Sequence, residues 1–267
     1  MLITGGSLGT SQSSSTYFVE DKISRSEGRV LHESHSLPAE LGASGGCIDS
    51  FGQPLILGGW DGDRTSDLFL SFDVERGWTT LAPLHRPICY AAACTSIEGN
   101  IIISGGGSIP YRDGDVYDEV SINRYHKFNL LPSQSDVDGS IGDRDALGEA
   151  SWMPLPSLLK KRCGHSAVTL FDDSIVVMGG YAGGVEYLSS VELFDWGSMS
   201  WYELPQMSVP RSGLAAVVGS GGSIYVAGGS PDGTIGTNTL NKSKRLSMTL
   251  SSFQIHRQGM RLVRDLI

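Results

Sequence analysis

The stretch that decides the fold is RCGHSAVTLFDDSIVVMGGYAGGVEYLSSVELFDWGSMSWYELPQM, residues 162–207. It holds two short apolar runs, a glycine doublet, a third apolar run and a tryptophan. Trp78, Trp152 and Trp201 each lie 27 residues before a glycine doublet. The doublets recur along the whole chain, at Gly5-Gly6, Gly58-Gly59, Gly105-Gly106, Gly179-Gly180 and Gly228-Gly229. Equal spacing with matching residues between predicts a repeat protein.

A short apolar run rich in β-branched residues precedes each doublet, and four of these runs follow another run of small or apolar residues across a turn. Runs this short are typical of buried strands rather than helices. A third strand after the doublet and a fourth that contains the tryptophan complete the unit. Four short strands per unit is the pattern of a β-propeller blade. The first copy has Leu31 at the tryptophan position and lacks its opening strand.

Composition indicates a globular protein with a core: 267 residues, 40% of them hydrophobic, with 35 glycines. No apolar run approaches the roughly 18 residues of a membrane span, and the start of the chain does not resemble a signal peptide. Residues 241–267 hold six basic side chains and one acidic, a net charge of +5, which leaves −14 on the other 240 residues of a chain with net charge −9. An acidic body disfavours nucleic-acid binding.

The cysteines show no C-x-x-C pair, and neither they nor the histidines show metal-ligand spacing. The sequence therefore predicts reduced, buried cysteines in a reducing compartment, the cytoplasm or the nucleus. Disulfide pairing and a metal site are the alternatives. The six histidines are scattered over different copies and fit no catalytic motif. We expect no catalytic residue, metal or cofactor.

At four places the residues resemble the kelch repeat: PRSGLAAVV at 210–218, IYVAGG at 224–229, SSVELFD at 189–195 and WYELPQM at 201–207. The resemblance extends over residues 1–230, with five recognisable copies. It implies an all-β, kelch-type β-propeller, here an incomplete or truncated six-bladed ring. Residues 131–151 interrupt the third copy and are predicted to be a flexible surface insertion. Residues 231–267 are predicted to be a degenerate last blade or a basic tail; a mis-joined reading frame is a further alternative.

Kelch propellers commonly bind other proteins, so the resemblance implies a protein or peptide partner on one rim. Some act as substrate receptors in ubiquitin ligation through a BTB or F-box segment, and this sequence shows neither. Guanidinium groups on that rim suit an acidic peptide. The residues predicted to contact the partner are Arg86, Arg162, Arg211, Ser212, Trp60, Tyr111 and Tyr181. The alternative is that each arginine pairs with an acidic residue of a neighbouring blade and that the aromatic residues pack between blades.

Two other functions remain open. Propellers that resemble this one include copper oxidases and sugar epimerases, whose site residues converge on the central channel. A copper oxidase of that kind needs tyrosine, cysteine and histidine ligands brought together, and no sequence pattern here indicates them. The third alternative is a fragment that cannot close its ring and has no independent function.

Overall fold

The computed structural model describes residues 2–4, 7–8, 11–12, 14–20, 30–33, 35–108, 116–123, 152–219, 222–233, 250–256 and 259–266. The predicted all-β class is confirmed, because every regular element in these ranges is a strand. No helix in the described ranges is long and apolar enough to cross a membrane.

Five antiparallel sheets follow one another along the described chain. The first contains β1 (Leu2–Thr4), β4 (Thr16–Glu20) and β5 (Val30–Glu33), and β2 (Ser7–Leu8) pairs with β3 (Ser11–Gln12) in a separate hairpin. The second contains β6 (Gly45–Ile48), β7 (Pro54–Trp60), β8 (Thr65–Asp73) and β9 (Gly77–Thr80). Among the described residues the first sheet has three strands.

The remaining three sheets repeat the four-stranded plan of the second. The third contains β10 (Ala92–Thr95), β11 (Ile101–Ser104), β12 (Val120–Asn123) and β13 (Trp152–Leu155). The fourth contains β14 (Ser166–Thr169), β15 (Ile175–Met178), β16 (Val191–Asp195) and β17 (Ser200–Leu204). The fifth contains β18 (Ser212–Val218), β19 (Ser223–Ser230), β20 (Leu250–His256) and β21 (Gly259–Leu266). Each sheet is a simple meander in chain order.

The core lies between successive sheets. It is formed by side chains that alternate between the two faces of each strand. Neighbouring residues of a strand point to opposite faces, so a fully apolar strand packs against a sheet on each side. In β15, Ile175 and Val177 pack against the third sheet, whereas Val176 and Met178 pack against the fifth. All four are buried. Burying one such side chain contributes about 1.5–3 kcal/mol.

The glycine doublets allow consecutive sheets to approach closely. Gly179 and Gly180 both have positive φ, at 68° and 102°. A Cβ on Gly179 would lie 2.6 Å from the carbonyl oxygen of Arg211, on the segment that leads into the fifth sheet. Gly180 donates its N–H to the same carbonyl at 2.6 Å. A side chain at the first position would push the two sheets apart, which is why glycine recurs there.

Each repeat tryptophan packs toward the preceding sheet. Trp201 joins a buried cluster with residues of the third and fourth sheets and donates its indole N–H to the carbonyl of Pro156 at 2.8 Å. Trp152 stacks on Phe69 of the second sheet with ring centroids 5.6 Å apart. Trp78 reaches back to the carbonyl of His35 at 3.1 Å. The tryptophans therefore link one sheet to the one before it.

The sheets are consistent with a β-propeller, while the number of blades and the closure of the ring stay predictions. The division of the chain at residue 230 also stays a prediction; beyond it, β20 and β21 pair in the same sheet as β18 and β19. The predicted insertion at residues 131–151 lies outside the described residues.

Candidate partner-binding face

One end of the sheets is defined by main-chain bridges. We call the first strand of each four-stranded sheet its innermost strand. The residue that follows a doublet pairs with the residue that leads into the innermost strand of the same sheet, as in Gly42 with Trp60 and Cys163 with Tyr181. Both pairs exchange two hydrogen bonds of 2.7–2.9 Å. Trp60 and Tyr181 therefore occupy equivalent positions at the same end. We call this end, with its aromatic side chains Trp60, Tyr90, Tyr117 and Tyr181, the aromatic face.

A row of hydrogen bonds joins the innermost strands at this face. Tyr90 donates its N–H to the carbonyl of Ala43 at 2.7 Å, Gly164 donates to Tyr90 at 2.8 Å, and Gly213 donates to Gly164 at 2.7 Å. All four residues have positive φ, between 54° and 72°. The same backbone conformation therefore repeats at the start of four innermost strands, and it places successive sheets in one regular arrangement.

Ala43 and Tyr90 are the two members of this row that are not glycine, and Tyr90 is the bulky one. Glycine occupies the equivalent position in the two following sheets, and a bulky residue in the left-handed region carries strain of order 1–3 kcal/mol. Its side chain is 39% exposed at the aromatic face, although partial burial raises the pKa of its hydroxyl. Backbone strain of this kind concentrates at functional sites. Tyr90 is not among the residues predicted from the sequence to contact a partner. The sequence signal that could have indicated it is its alignment with Gly164 and Gly213.

Arg86 forms a partly exposed cluster on this face. Its Nη1 donates to both carboxylate oxygens of Glu119, at 2.7 and 2.8 Å, and its guanidinium lies 3.5 Å from the centre of the Tyr117 ring. His85 Nε2 lies 3.6 Å from the same carboxylate. The stacking and the ion pair hold the guanidinium in one orientation. Much of its charge is therefore already compensated by Glu119.

Arg162 is enclosed within its own sheet. Its guanidinium is 0% exposed and forms an ion pair with Glu192, which is also buried. Further donors reach the carbonyl of Gly179 at 2.7 Å and the Ser190 hydroxyl at 3.1 Å. Burial lowers the pKa of Arg162, and the charge of Glu192 opposes that effect. In this conformation the guanidinium cannot touch a partner that approaches the aromatic face.

Arg211 repeats the position of Arg162. It is buried, and its Nη1 donates to the carbonyl of Gly228 at 3.0 Å, as Arg162 does to Gly179. Ser212 is half-buried at the start of β18. The alternative to binding was a pair with an acidic residue of a neighbouring blade. In the structure, Arg86 pairs with Glu119 and Arg162 pairs with Glu192, and each glutamate belongs to the same sheet as its arginine.

The aromatic candidates differ in accessibility. Trp60 is half-buried, and its indole nitrogen is enclosed without a hydrogen-bond partner in the described part of the chain. Tyr181 is half-buried, stacks with Tyr187 at a centroid distance of 5.1 Å and donates its hydroxyl to the carbonyl of Gly184 at 2.7 Å. Tyr111 lies outside the described residues. The structure thus brings Trp60 and Tyr181 to one face, while their contact with a partner stays a prediction.

A buried serine–histidine pair lies beneath this face. Ser104 Oγ and His165 Nε2 are 2.9 Å apart, and both side chains are buried between the third and fourth sheets. Burial, with the nearby charge of Arg162 as a smaller cause, lowers the pKa of His165 well below its usual value. The pair resembles a nucleophile and its base only in composition, since no substrate can reach it. Among the described residues no three potential metal ligands come together.

The opposite end of the innermost strands borders an open depression of about 280 Å³. Apolar side chains, two threonines and two thiols border it; they include Cys47, Cys94, Thr95, Thr169 and Val217. Burial raises the pKa of Cys47 to about 12 and that of Cys94 to about 11. Both thiols are therefore protonated at neutral pH and are poor metal ligands in this state.

Comparison with known families identifies the repeat. Residues 162–208 match the family model described as the Kelch motif. The kelch resemblance is confirmed. The matched residues comprise the whole fourth sheet and the approach to it, including the buried arginine, the doublet and the repeat tryptophan. A search of curated proteins found no match for this chain. Kelch-motif proteins are commonly protein-interaction modules.

Proposed function

We propose that this chain is a kelch-type propeller domain that binds a protein or peptide partner on its aromatic face. The observation that supports this most is Tyr90, which is exposed and held at a φ of 54° where glycine would be free of strain. Tyrosine combines a large apolar surface with a hydroxyl and is enriched at interface hot spots. Trp60, Tyr117 and Tyr181 lie at the same end and extend the surface.

The preference for an acidic partner rests on Arg86 rather than on the other two arginines. Arg86 is partly accessible and lies beside Tyr117, whereas Arg162 and Arg211 are enclosed. An incoming carboxylate would have to compete with Glu119 for the guanidinium. We therefore assign most of the affinity to aromatic contacts. A substrate-receptor role in ubiquitin ligation would use this same binding step.

The buried arginines change the experiment that tests binding. Replacing Arg162 removes one half of a buried ion pair, so the variant reports on stability rather than on partner contact. Tyr90→Gly is a cleaner variant, because glycine accepts the positive φ while the whole tyrosine side chain is removed. Phe171→Ala is its matched control: Phe171 is an exposed aromatic residue in the turn at the opposite end of β14.

The test is selection of binders from a displayed random-peptide library, with the affinity of each selected peptide measured against the variants. Tyr90→Gly and Tyr181→Ala should each weaken binding at least tenfold, about 1.4 kcal/mol. Phe171→Ala should leave the affinity unchanged. Peptides that bind all three variants as tightly as the original chain would refute the aromatic face as the binding surface.

A further inference from the structure

Three hairpin turns lie side by side at the end of the sheets opposite the aromatic face. They join the first and second strands of the second, third and fourth sheets, at residues 49–53, 96–100 and 170–174. Ile97 donates its N–H to a carboxylate oxygen of Asp173 at 2.6 Å. A Cβ on Gly99 would lie 2.9 Å from the hydroxyl oxygen of Ser50. Each turn therefore touches the next, and the three form one continuous surface, which we call the turn face.

Each of these turns exposes a large apolar side chain: Phe51 is 52%, Ile97 62% and Phe171 70% exposed. Ile48, which is 61% exposed, borders the open depression at the ends of the innermost strands. Thr95 donates its hydroxyl to the carbonyl of Ile48 at 2.6 Å, which joins the parts of the depression that the second and third sheets contribute. Single exposed apolar residues are ordinary on a protein surface, whereas apolar side chains grouped on adjoining turns beside a depression indicate an interaction site.

The turn face is strongly acidic. Two further hairpin ends adjoin it, at residues 73–77 of the second sheet and 195–199 of the fourth. Gln53 donates its side-chain amide to Asp73 at 3.0 Å, and Trp196 donates its indole N–H to the carbonyl of Asp173 at 2.8 Å. Together these five segments contain seven acidic residues and one basic residue, a net charge of −6.

The hydrogen bonds that shape these turns do not cancel the negative charge. Asp49 accepts the backbone N–H groups of Phe51 and Gln53, at 2.9 and 2.8 Å. Asp195 accepts the backbone N–H and the hydroxyl of Ser198, at 2.9 and 2.6 Å. These donors are neutral, and the bonds from Ser198 lower the pKa of Asp195 and so favour its ionised form. The turn face therefore places exposed apolar side chains next to charged carboxylates.

We propose that the turn face binds a second partner, a protein segment in which large apolar side chains alternate with lysines or arginines. The apolar side chains of that segment pack against Phe51, Ile97 and Phe171 and over the depression, and its cations lie beside the carboxylates of the turns. The same negative charge disfavours nucleic acid and anionic membrane surfaces. This site goes beyond the proposed function, because it lies at the other end of the sheets and recognises the opposite charge.

Fluorescence anisotropy with a labelled peptide of alternating leucine and lysine tests this proposal on the purified chain. The leucine–lysine peptide should bind, and raising the salt concentration should weaken its binding, because exposed charges of opposite sign attract less in salt. A leucine–glutamate peptide and a serine–lysine peptide should each bind more weakly by about tenfold or more. Equal binding of the serine–lysine peptide would overturn the apolar contact, and equal binding of the leucine–glutamate peptide would overturn the choice of a basic partner.

Variants of the chain locate the binding. Ile97→Ser and Phe171→Ala should each weaken binding of the leucine–lysine peptide by about tenfold or more, since each removes an exposed apolar side chain from the contact. Val185→Ser is the matched control: Val185 is 93% exposed and precedes an acidic residue, as Ile97 does, but lies between β15 and β16 at the other end of the fourth sheet. Thermal melts confirm that the variants fold.

Phe171→Ala also separates the two surfaces, because it should leave peptides of the aromatic face unaffected while it weakens the leucine–lysine peptide. Failure of one surface is therefore distinguishable from failure of the other. A leucine–lysine peptide that does not bind, or that binds Ile97→Ser and Phe171→Ala as tightly as the original chain, would overturn the proposal. Adsorption of the chain to phosphatidylserine vesicles that Ile97→Ser abolishes would likewise overturn it, in favour of a membrane surface.

Discussion

Arg162 and Glu192 form an ion pair inside the fourth sheet, where the arginine leads into the innermost strand and the glutamate lies on the third strand. Glu192 also accepts the backbone N–H groups of Leu159 and Lys160, at 2.8 and 3.1 Å. The carboxylate therefore ties the connection between two sheets to the middle of one of them. Both residues lie within the segment that matches the Kelch motif, and their burial gives the pair a structural role.

Loss of Arg162 should destabilise the domain strongly. Arg162→Ala leaves Glu192 charged, buried and without its cation, and breaking a buried pair in this way costs about 3–5 kcal/mol. Arg86→Ala is the control, because its pair with Glu119 is partly exposed and is worth about 0.2–1 kcal/mol. Urea denaturation monitored by circular dichroism measures both values. Equal losses for the two variants would contradict the structural role of the buried pair.

Alanine at the first glycine of a doublet should cost less at Gly228, where no described atom lies within 4 Å of the added Cβ, than at Gly179. Gly179→Ala and Gly228→Ala both place a side chain at positive φ, which costs about 1–2 kcal/mol. Only Gly179→Ala adds a clash, since its Cβ would lie 2.6 Å from the Arg211 carbonyl. The free energy of unfolding should therefore fall further for Gly179→Ala. The denaturation midpoints of the two variants at low protein concentration provide the comparison, and a larger loss for Gly228→Ala would be contrary to it.

Acid should destabilise the domain through His165. Burial holds the pKa of this imidazole well below its usual 6.5, so the folded chain stays neutral at a pH where the unfolded chain binds a proton. This imidazole therefore leaves the free energy of unfolding unchanged above pH 6.5. Below that pH it lowers the free energy of unfolding by up to about 1.4 kcal/mol per pH unit. His165→Gln keeps a polar group near Ser104 and removes the titration. The decline between about pH 6.5 and 5 should be less steep in this variant; identical slopes would exclude His165 as its source.

The thiols should react slowly until the chain unfolds. The four cysteines are free, and burial raises the pKa of Cys47 to about 12 and that of Cys94 to about 11, although part of Cys47 reaches solvent. Only the thiolate reacts with iodoacetamide, so at pH 8 almost none of either thiol is in the reactive form. Mass spectrometry should find little alkylation of the folded chain and rapid alkylation of all four cysteines in urea. Fast labelling of Cys94 in the folded chain would show that the inner strands open.

The repeat and its strands could be predicted from the sequence because their causes are local. Short β-branched runs form strands that are buried on both faces, and tight turns and close sheet contacts need glycine at fixed positions. The constant spacing of the repeat tryptophans is likewise visible in the sequence, since a large aromatic residue fills the same space between sheets in each copy. The stretch taken from the sequence, residues 162–207, coincides with the Kelch-motif match at residues 162–208.

The partner and the exposure of these side chains could be determined only from the tertiary structure. Glu192 lies thirty residues after Arg162, and only the pairing of β15 with β16 brings its carboxylate to the guanidinium. The exposure of Tyr90 likewise depends on the hydrogen-bonded row that joins four innermost strands. Val168 and Val217 show the same dependence. They are equivalent in sequence, yet Val168 is buried against residues of the fifth sheet, whereas Val217 is exposed and packs against no sheet in the described part of the chain.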